Sequence, residues 1–125
     1  MNYWAIAGGG LALFASLGHS VAGDRMYYRP LASRVTEPLV ASVLAALWWI
    51  VTLHFALSGL ALIYVGSVKF QTTTVLLVAA QFLSYAIIYL VLSLRMRRPF
   101  ALVQWAPFLL ISVLCVIAAH VAKAY

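Results

Sequence analysis

The sequence predicts an all-α polytopic membrane protein, with four transmembrane helices in an antiparallel bundle. Three observations carry the prediction. First, the 125 residues divide into four apolar runs, at 3–22, 38–65, 72–94 and 100–122, and none contains Asp, Glu, Lys or Arg. A helix needs about 20 such residues to cross a bilayer's hydrocarbon core. Second, 66% of the residues are hydrophobic and 8% charged, and the mean hydropathy is +1.06; a soluble domain is roughly 45–50% apolar and about 25% charged. Third, the gaps are short. Residues 23–37 make the longest predicted loop, and those at 66–71 and 95–99 are shorter still. A chain of this length forms one membrane domain over residues 1–125, with no room for a soluble catalytic domain.

The first span opens on Tyr3 and Trp4, aromatic residues suited to the membrane interface. An apolar N-terminal stretch can be a secretory signal, but no Lys or Arg precedes this one, so a retained span is expected. Gly8, Ala12, Ser16 and Ser20 recur every four residues and form a stripe of small side chains. Such a stripe lets helix backbones approach closely in lipid, so it should pack on another helix, within the chain or in a partner. Gly9 and Gly10 widen that thin face.

The second span should begin at Pro38, because proline suits the first helical turn. Glu37 before it complements the positive end of the helix dipole. Trp48 and Trp49 fall too deep for an interface belt, so at least one should pack inward or on a partner. In the third span Gln81, Tyr85, Tyr89 and Ser93 form a polar stripe that should face protein, where an interhelical hydrogen bond returns roughly 0.6–2 kcal/mol. The fourth span carries Gln104, Trp105 and Pro107 early. Pro107 should bend it by removing a backbone hydrogen bond.

The net charge is +6, and its placement argues for membrane orientation, not nucleic-acid binding. Arg25, Arg29, Arg34, Arg95, Arg97 and Arg98 share one side of a four-span bundle, while only Lys69 and Lys123 lie on the other. An excess of basic residues near span ends marks the cytoplasmic side. Both termini are therefore expected outside the cytoplasm, in a bacterial inner membrane. The basic loops could also meet anionic lipid head groups.

Few residues could carry chemistry. Asp24 and Glu37 are the only carboxylates, both in the first loop. No cluster has metal-ligand spacing, and no set of catalytic side chains is expected to converge. Cys115, single and mid-span, reads as a small buried apolar residue. The histidines are the candidates for a cofactor. At 1.5 Å per residue, span boundaries place His54 and His120 about 6 Å apart in depth, so a haem b between them is a second reading. A chlorophyll-type pigment would need only one histidine, His54. A carboxylate, the usual coupling group of ion-driven transporters, is absent from every span, which disfavours transport.

The segment Gly18-His19-Ser20-Val21-Ala22-Gly23-Asp24-Arg25, followed by Arg29-Pro30-Leu31, resembles a pattern in small four-helix bacterial integral membrane proteins of unknown function. Arg98-Pro99-Phe100 with Gln104-Trp105 fits the same pattern. In those proteins a Trp-His pair often precedes a Thr in the second span. Here the matching place reads Trp48-Trp49, with Thr52 and His54 after it, so any cofactor role of a histidine at that position does not carry over. The resemblance implies the fold and a linked role for His19, Asp24 and Arg25 at the cytoplasmic rim. A carboxylate beside an imidazole favours its charged form, and a structural latch is the expected result. The functional expectation is a non-catalytic subunit without a cofactor, packed against a membrane protein partner or a second copy. Respiratory and photosynthetic complexes are frequent hosts of such subunits.

Overall fold

The structure, a computed structural model, describes residues 1–98 and 102–122. Pro99, Phe100 and Lys123, and with them the expected start of the fourth span, lie outside the described residues. Among those described the chain is helical, with no strand. Helix α1 spans Tyr3–Gly18, passes into a π-helical segment at His19–Tyr28, and ends in the single turn α2, Arg29–Ala32. Helices α3 (Pro38–Ser67), α4 (Thr72–Arg95) and α5 (Trp105–Val121) follow. The continuous rod Tyr3–Ala32, together with α3 and α4, gives three helices long and apolar enough to cross a membrane; α5 is shorter, at 17 residues.

Helix ends follow local chemistry. Asn2 caps α1, its Oδ1 accepting from the Ala5 N–H at 3.1 Å. The same residue ties two other helices to this end: its N–H donates to Gly66 O at 2.7 Å, and Nδ2 donates to Ala118 O at 2.9 Å. Glu37 caps α3, its carboxylate accepting from the Val40 N–H at 2.8 Å, and Pro38 opens the helix.

α1 lies antiparallel along α3, and a ladder of small and polar residues defines the seam. Asn2 meets Gly66, Gly9 meets Gly59, and Ser16 donates to Thr52 O at 2.9 Å. On both helices these positions are seven residues apart, the period of a left-handed helix pair. A Cβ at Gly9 would stand 2.6 Å from Gly59 O, and one at Gly59 would stand 2.8 Å from Gly9 O. Neither position therefore accepts a side chain at this separation. Gly8, Ala12 and Ser16 are all buried, with Gly8 directed at Leu114 and Cys115 of α5. These three are consumed inside the chain; Ser20, whose Oγ donates to Leu17 O of its own helix, and the exposed Gly10 do not belong to the packed face.

α4 runs antiparallel to α5, fixed by Ser112 Oγ donating to Ala79 O at 2.9 Å. Rings from three helices fill the centre. Phe55 of α3 lies 5.1 Å from Phe108 of α5 and 5.8 Å from Phe82 of α4, and Phe82 and Phe108 are 5.8 Å apart. These are tilted arrangements within the favourable range for aromatic pairs.

Two expectations are corrected here. Most of the first loop is helix: residues 23–32 continue the first rod, leaving only 33–37 as connection. Pro107 bends nothing. α5 begins at Trp105, so the proline sits in the first turn, where its missing N–H has no intrahelical partner to lose.

Candidate functional site

The π-helical segment is the feature that builds a site. His19, Gly23 and Tyr28 all meet one residue of α3, Trp48. The His19 ring stacks on the indole at 3.9 Å and 24°. A Cβ at Gly23 would be 3.2 Å from the indole Cζ2, and the Tyr28 ring lies 5.2 Å away. Nine residues separate His19 from Tyr28, and nine residues are two and a half turns of an α-helix. In α geometry Tyr28 would face the opposite way. The wider i→i+5 winding of a π-helix returns it to the same side. The ion pair in this segment obeys the same register: Arg29 Nε donates to Asp24 Oδ2, five residues back, at 2.6 Å.

His19 is oriented by a short relay. Thr52 Oγ1 donates to Trp48 O at 3.0 Å and receives His19 Nδ1 at 2.8 Å. The Thr52 proton is already committed, so Nδ1 carries the hydrogen towards Thr52. In the neutral ring Nε2 is then a lone-pair acceptor, and it has no partner among the described residues.

Beside this relay opens a partly open cavity of about 470 Å³. The first rod walls it from Phe14 to Tyr27. Trp48 and Phe55 of α3 and Tyr89 of α4 also line it, and residues 102–108 close the far side. The volume falls within the roughly 300–1,000 Å³ of small-molecule sites. The walls are almost wholly apolar or aromatic, and no Asp, Glu, Lys or Arg lines them. Among the described residues, Trp48 Nε1 and Gln104 Oε1, on two of the wall residues, are buried without a hydrogen-bond partner, as is Ser93 Oγ.

The rim set inferred from resemblance is not assembled as expected. Asp24 pairs with Arg29, not with Arg25 or His19, because the π register aligns residues five apart; Arg25 is exposed. His19 engages α3 instead. The polar stripe of α4 faces protein: Gln81 Nε2 meets His54 Nε2 and lies 3.5 Å from Ser58 Oγ, and the Tyr85 hydroxyl lies 3.2 Å from His54 Nε2. His54 is thus engaged by two side chains of α4.

His54 and His120 do not share a layer. Phe55, next to His54, packs on Phe108 of α5. His120 lies twelve residues beyond Phe108, about 18 Å at the rise of an α-helix, and is exposed. The 6 Å estimate fails because α3 overshoots the bundle: its first turns project past α5. Among the described residues, no three His, Cys, Asp or Glu side chains group as metal ligands. Cys115 is fully buried.

No family model, no curated protein and no solved structure matches this chain. The site's own geometry therefore carries the functional reading.

Sequence reasoning named Thr52 and Gln104 without giving either a role, and passed over Gly59 and Gly66. A signal for Thr52, Gly59 and Gly66 was present. Asn2, Gly9, Ser16 and Gly23 recur every seven residues, and so do Thr52, Gly59 and Gly66. Two matching ladders of that period mark a helix pair.

Proposed function

We propose that this chain is a four-span integral membrane protein which, without catalysing a reaction, holds a small lipid-soluble molecule in the cavity beside His19 and Trp48. One observation carries the reading: two residues of the cavity wall, Trp48 and Gln104, hold buried polar atoms just behind it, Nε1 and Oε1, that find no hydrogen-bond partner among the described residues. Such an atom costs about 1–3 kcal/mol, and native proteins leave few of them. A bound molecule, with a small adjustment of the two side chains, would supply the partners.

The arginine-rich ends of the helices orient the protein in this reading. On that orientation, in a bacterial inner membrane with both termini outside, the cavity lies in the cytoplasmic half. α5, at 17 residues and about 26 Å, serves as the fourth span. Native mass spectrometry of the protein taken from membranes in mild detergent tests the proposal. A small-molecule adduct is expected on the wild type and not on Ala22→Phe, which fills the cavity from its exposed rim. Identical spectra would overturn it.

A second reading, a subunit of a larger membrane complex, draws support from α3. Only 11% of its span is buried within the chain, against 28% and 22% for the other two long helices. Trp49, in the apolar run of α3, is 55% exposed. If a partner helix covers this face, Trp49→Leu should weaken co-purification of that partner, while Ala22→Phe should not.

A further inference from the structure

We infer that the molecule held in the cavity is a neutral, lipid-soluble ring compound bearing a hydroxyl group, of the quinol or phenol class. This rests on the ligand-holding reading above and deepens it.

Charge comes first. With no ionisable carboxylate, lysine or arginine in the walls, an ionic ligand would enter a low-dielectric space without a counter-charge, a severe cost. The ligand is neutral.

Shape comes second. Phe14, His19, Trp48, Phe55, Tyr89 and Phe108 present rings from four helices to the cavity. Stacked and edge-on contacts to such rings favour a flat ligand.

Hydrogen-bond polarity is the third and deciding point. The Thr52 relay leaves His19 Nε2 as an acceptor. Gln104 Oε1, a second acceptor, and Trp48 Nε1, a donor, lie buried and unpartnered among the described residues on two wall residues, and a small turn of each side chain brings them to a ligand. Two acceptors and one donor call for a ligand that both donates and accepts a hydrogen bond. A hydroxyl does this: its hydrogen goes to His19 Nε2 or Gln104 Oε1, and its oxygen accepts from the indole N–H. The oxidised quinone has only acceptors and would leave the protein's acceptors unpaired. A site built to pair a hydroxyl rejects the analogue lacking it.

Access agrees. Phe14, Gly18, Ala22 and Met26, four residues apart, form the exposed rim on the first rod. Phe14 and Gly18 belong to its uncharged apolar run, so the mouth opens towards hydrocarbon and an alkyl tail can remain in lipid.

The test uses the purified full chain in detergent, under anaerobic conditions, with three probes: decyl-benzoquinol, decyl-benzoquinone and decylbenzene. Binding is read as the saturable rise in thermal unfolding midpoint. The quinol should bind roughly tenfold or more tightly than the quinone, one good hydrogen bond's worth, and decylbenzene should bind more weakly than either. His19→Asn keeps an N–H for Thr52 but removes the Nε2 acceptor, and should erase most of the quinol preference. Gln104→Leu, in the turn before α5, should do the same in part and provides an independent variant if His19→Asn fails to fold. Equal binding of all three probes, each blocked by Ala22→Phe, would overturn the ligand class while leaving the cavity reading intact. No saturable binding, or binding that Ala22→Phe leaves unchanged, would overturn both.

Discussion

Gly9 and Gly59 set the separation of α1 and α3. A methyl group at Gly9 would meet Gly59 O at 2.6 Å and Ile63 Cγ1 at 2.7 Å, where ordinary contact begins near 3.4 Å. Gly9→Ala must therefore drive the two helices about 0.8 Å apart, the difference between 3.4 and 2.6 Å. The nearest obstacle is backbone, so no change of rotamer absorbs it. A radial gap of about 0.5–1 Å forfeits a quarter to a half of the dispersion attraction of the atoms it separates. Overpacking costs typically about 1–3 kcal/mol. The better helix propensity of alanine offsets about 1 kcal/mol of this, so a net loss of about 0–2 kcal/mol is expected, and about 1–3 kcal/mol relative to a glycine-to-alanine change that meets no obstacle. Gly10→Ala is the control, since a Cβ there meets nothing within 4 Å. Both variants insert normally, and their unfolding midpoints can be compared in mixed micelles titrated with a denaturing detergent, followed by circular dichroism. Gly59→Ala should behave as Gly9→Ala does. The double variant should lose less than the sum, because both changes relieve the same contact. Equal midpoints for Gly9→Ala and Gly10→Ala would refute the close-approach argument.

Other consequences can be measured separately. Ala12→Leu, at a fully buried position, should destabilise by about 1–3 kcal/mol in the same assay, whereas Leu11→Ile should change little. Asn2→Ala removes a helix cap and a bond to α5, and should lower the midpoint by about 1 kcal/mol; a silent Asn2→Ala would mean that this end is held by packing alone. His54→Ala should cost about 0.6–1.7 kcal/mol, the scale of an interhelical hydrogen bond in lipid. The wild type should show no Soret band; a band that vanishes in His54→Ala would revive the pigment reading. Reporter fusions at the C-terminus should be active only outside the cytoplasm, and a fusion active only inside would reverse the assigned orientation.

Much of the fold was legible because membrane helices are written in what they lack. Runs without charge located α3 and α4 to within two residues, and Glu37 with Pro38 marked the start of α3. The spacing of Gly8, Ala12 and Ser16 marked a packing face, though not its partner, which is inside the chain. The π-helical segment was not legible. Residues 19–22 read as the end of the first span and residues 23–28, with Gly23 and Asp24, as loop; the wider winding that brings His19, Gly23 and Tyr28 onto Trp48, a residue of another helix, has no period in the sequence to announce it. The depth of His120 was misjudged for a related reason. Span lengths say nothing about how far one helix slides past another, and here Phe55 and Phe108 decide it. Gln104 entered the cavity wall through the turn before α5, where no periodicity operates.

The π-helical segment also changes what the first rod can tolerate. Along α1 the seam residues advance in step with α3, Asn2 to Gly66 and Ser16 to Thr52. Beyond His19 that step is broken: Gly23 faces Trp48, three positions later on α3 than the ladder's own rule would place it. The segment acts as a phase shifter between two helical clocks. Removing one residue from it would not merely shorten a connection. It would turn everything downstream by roughly a quarter of a turn, carrying Tyr28 off the indole and re-aiming the cavity's rim. A stretch with the composition of a tolerant loop is thus one of the least forgiving places in the chain for a change of length.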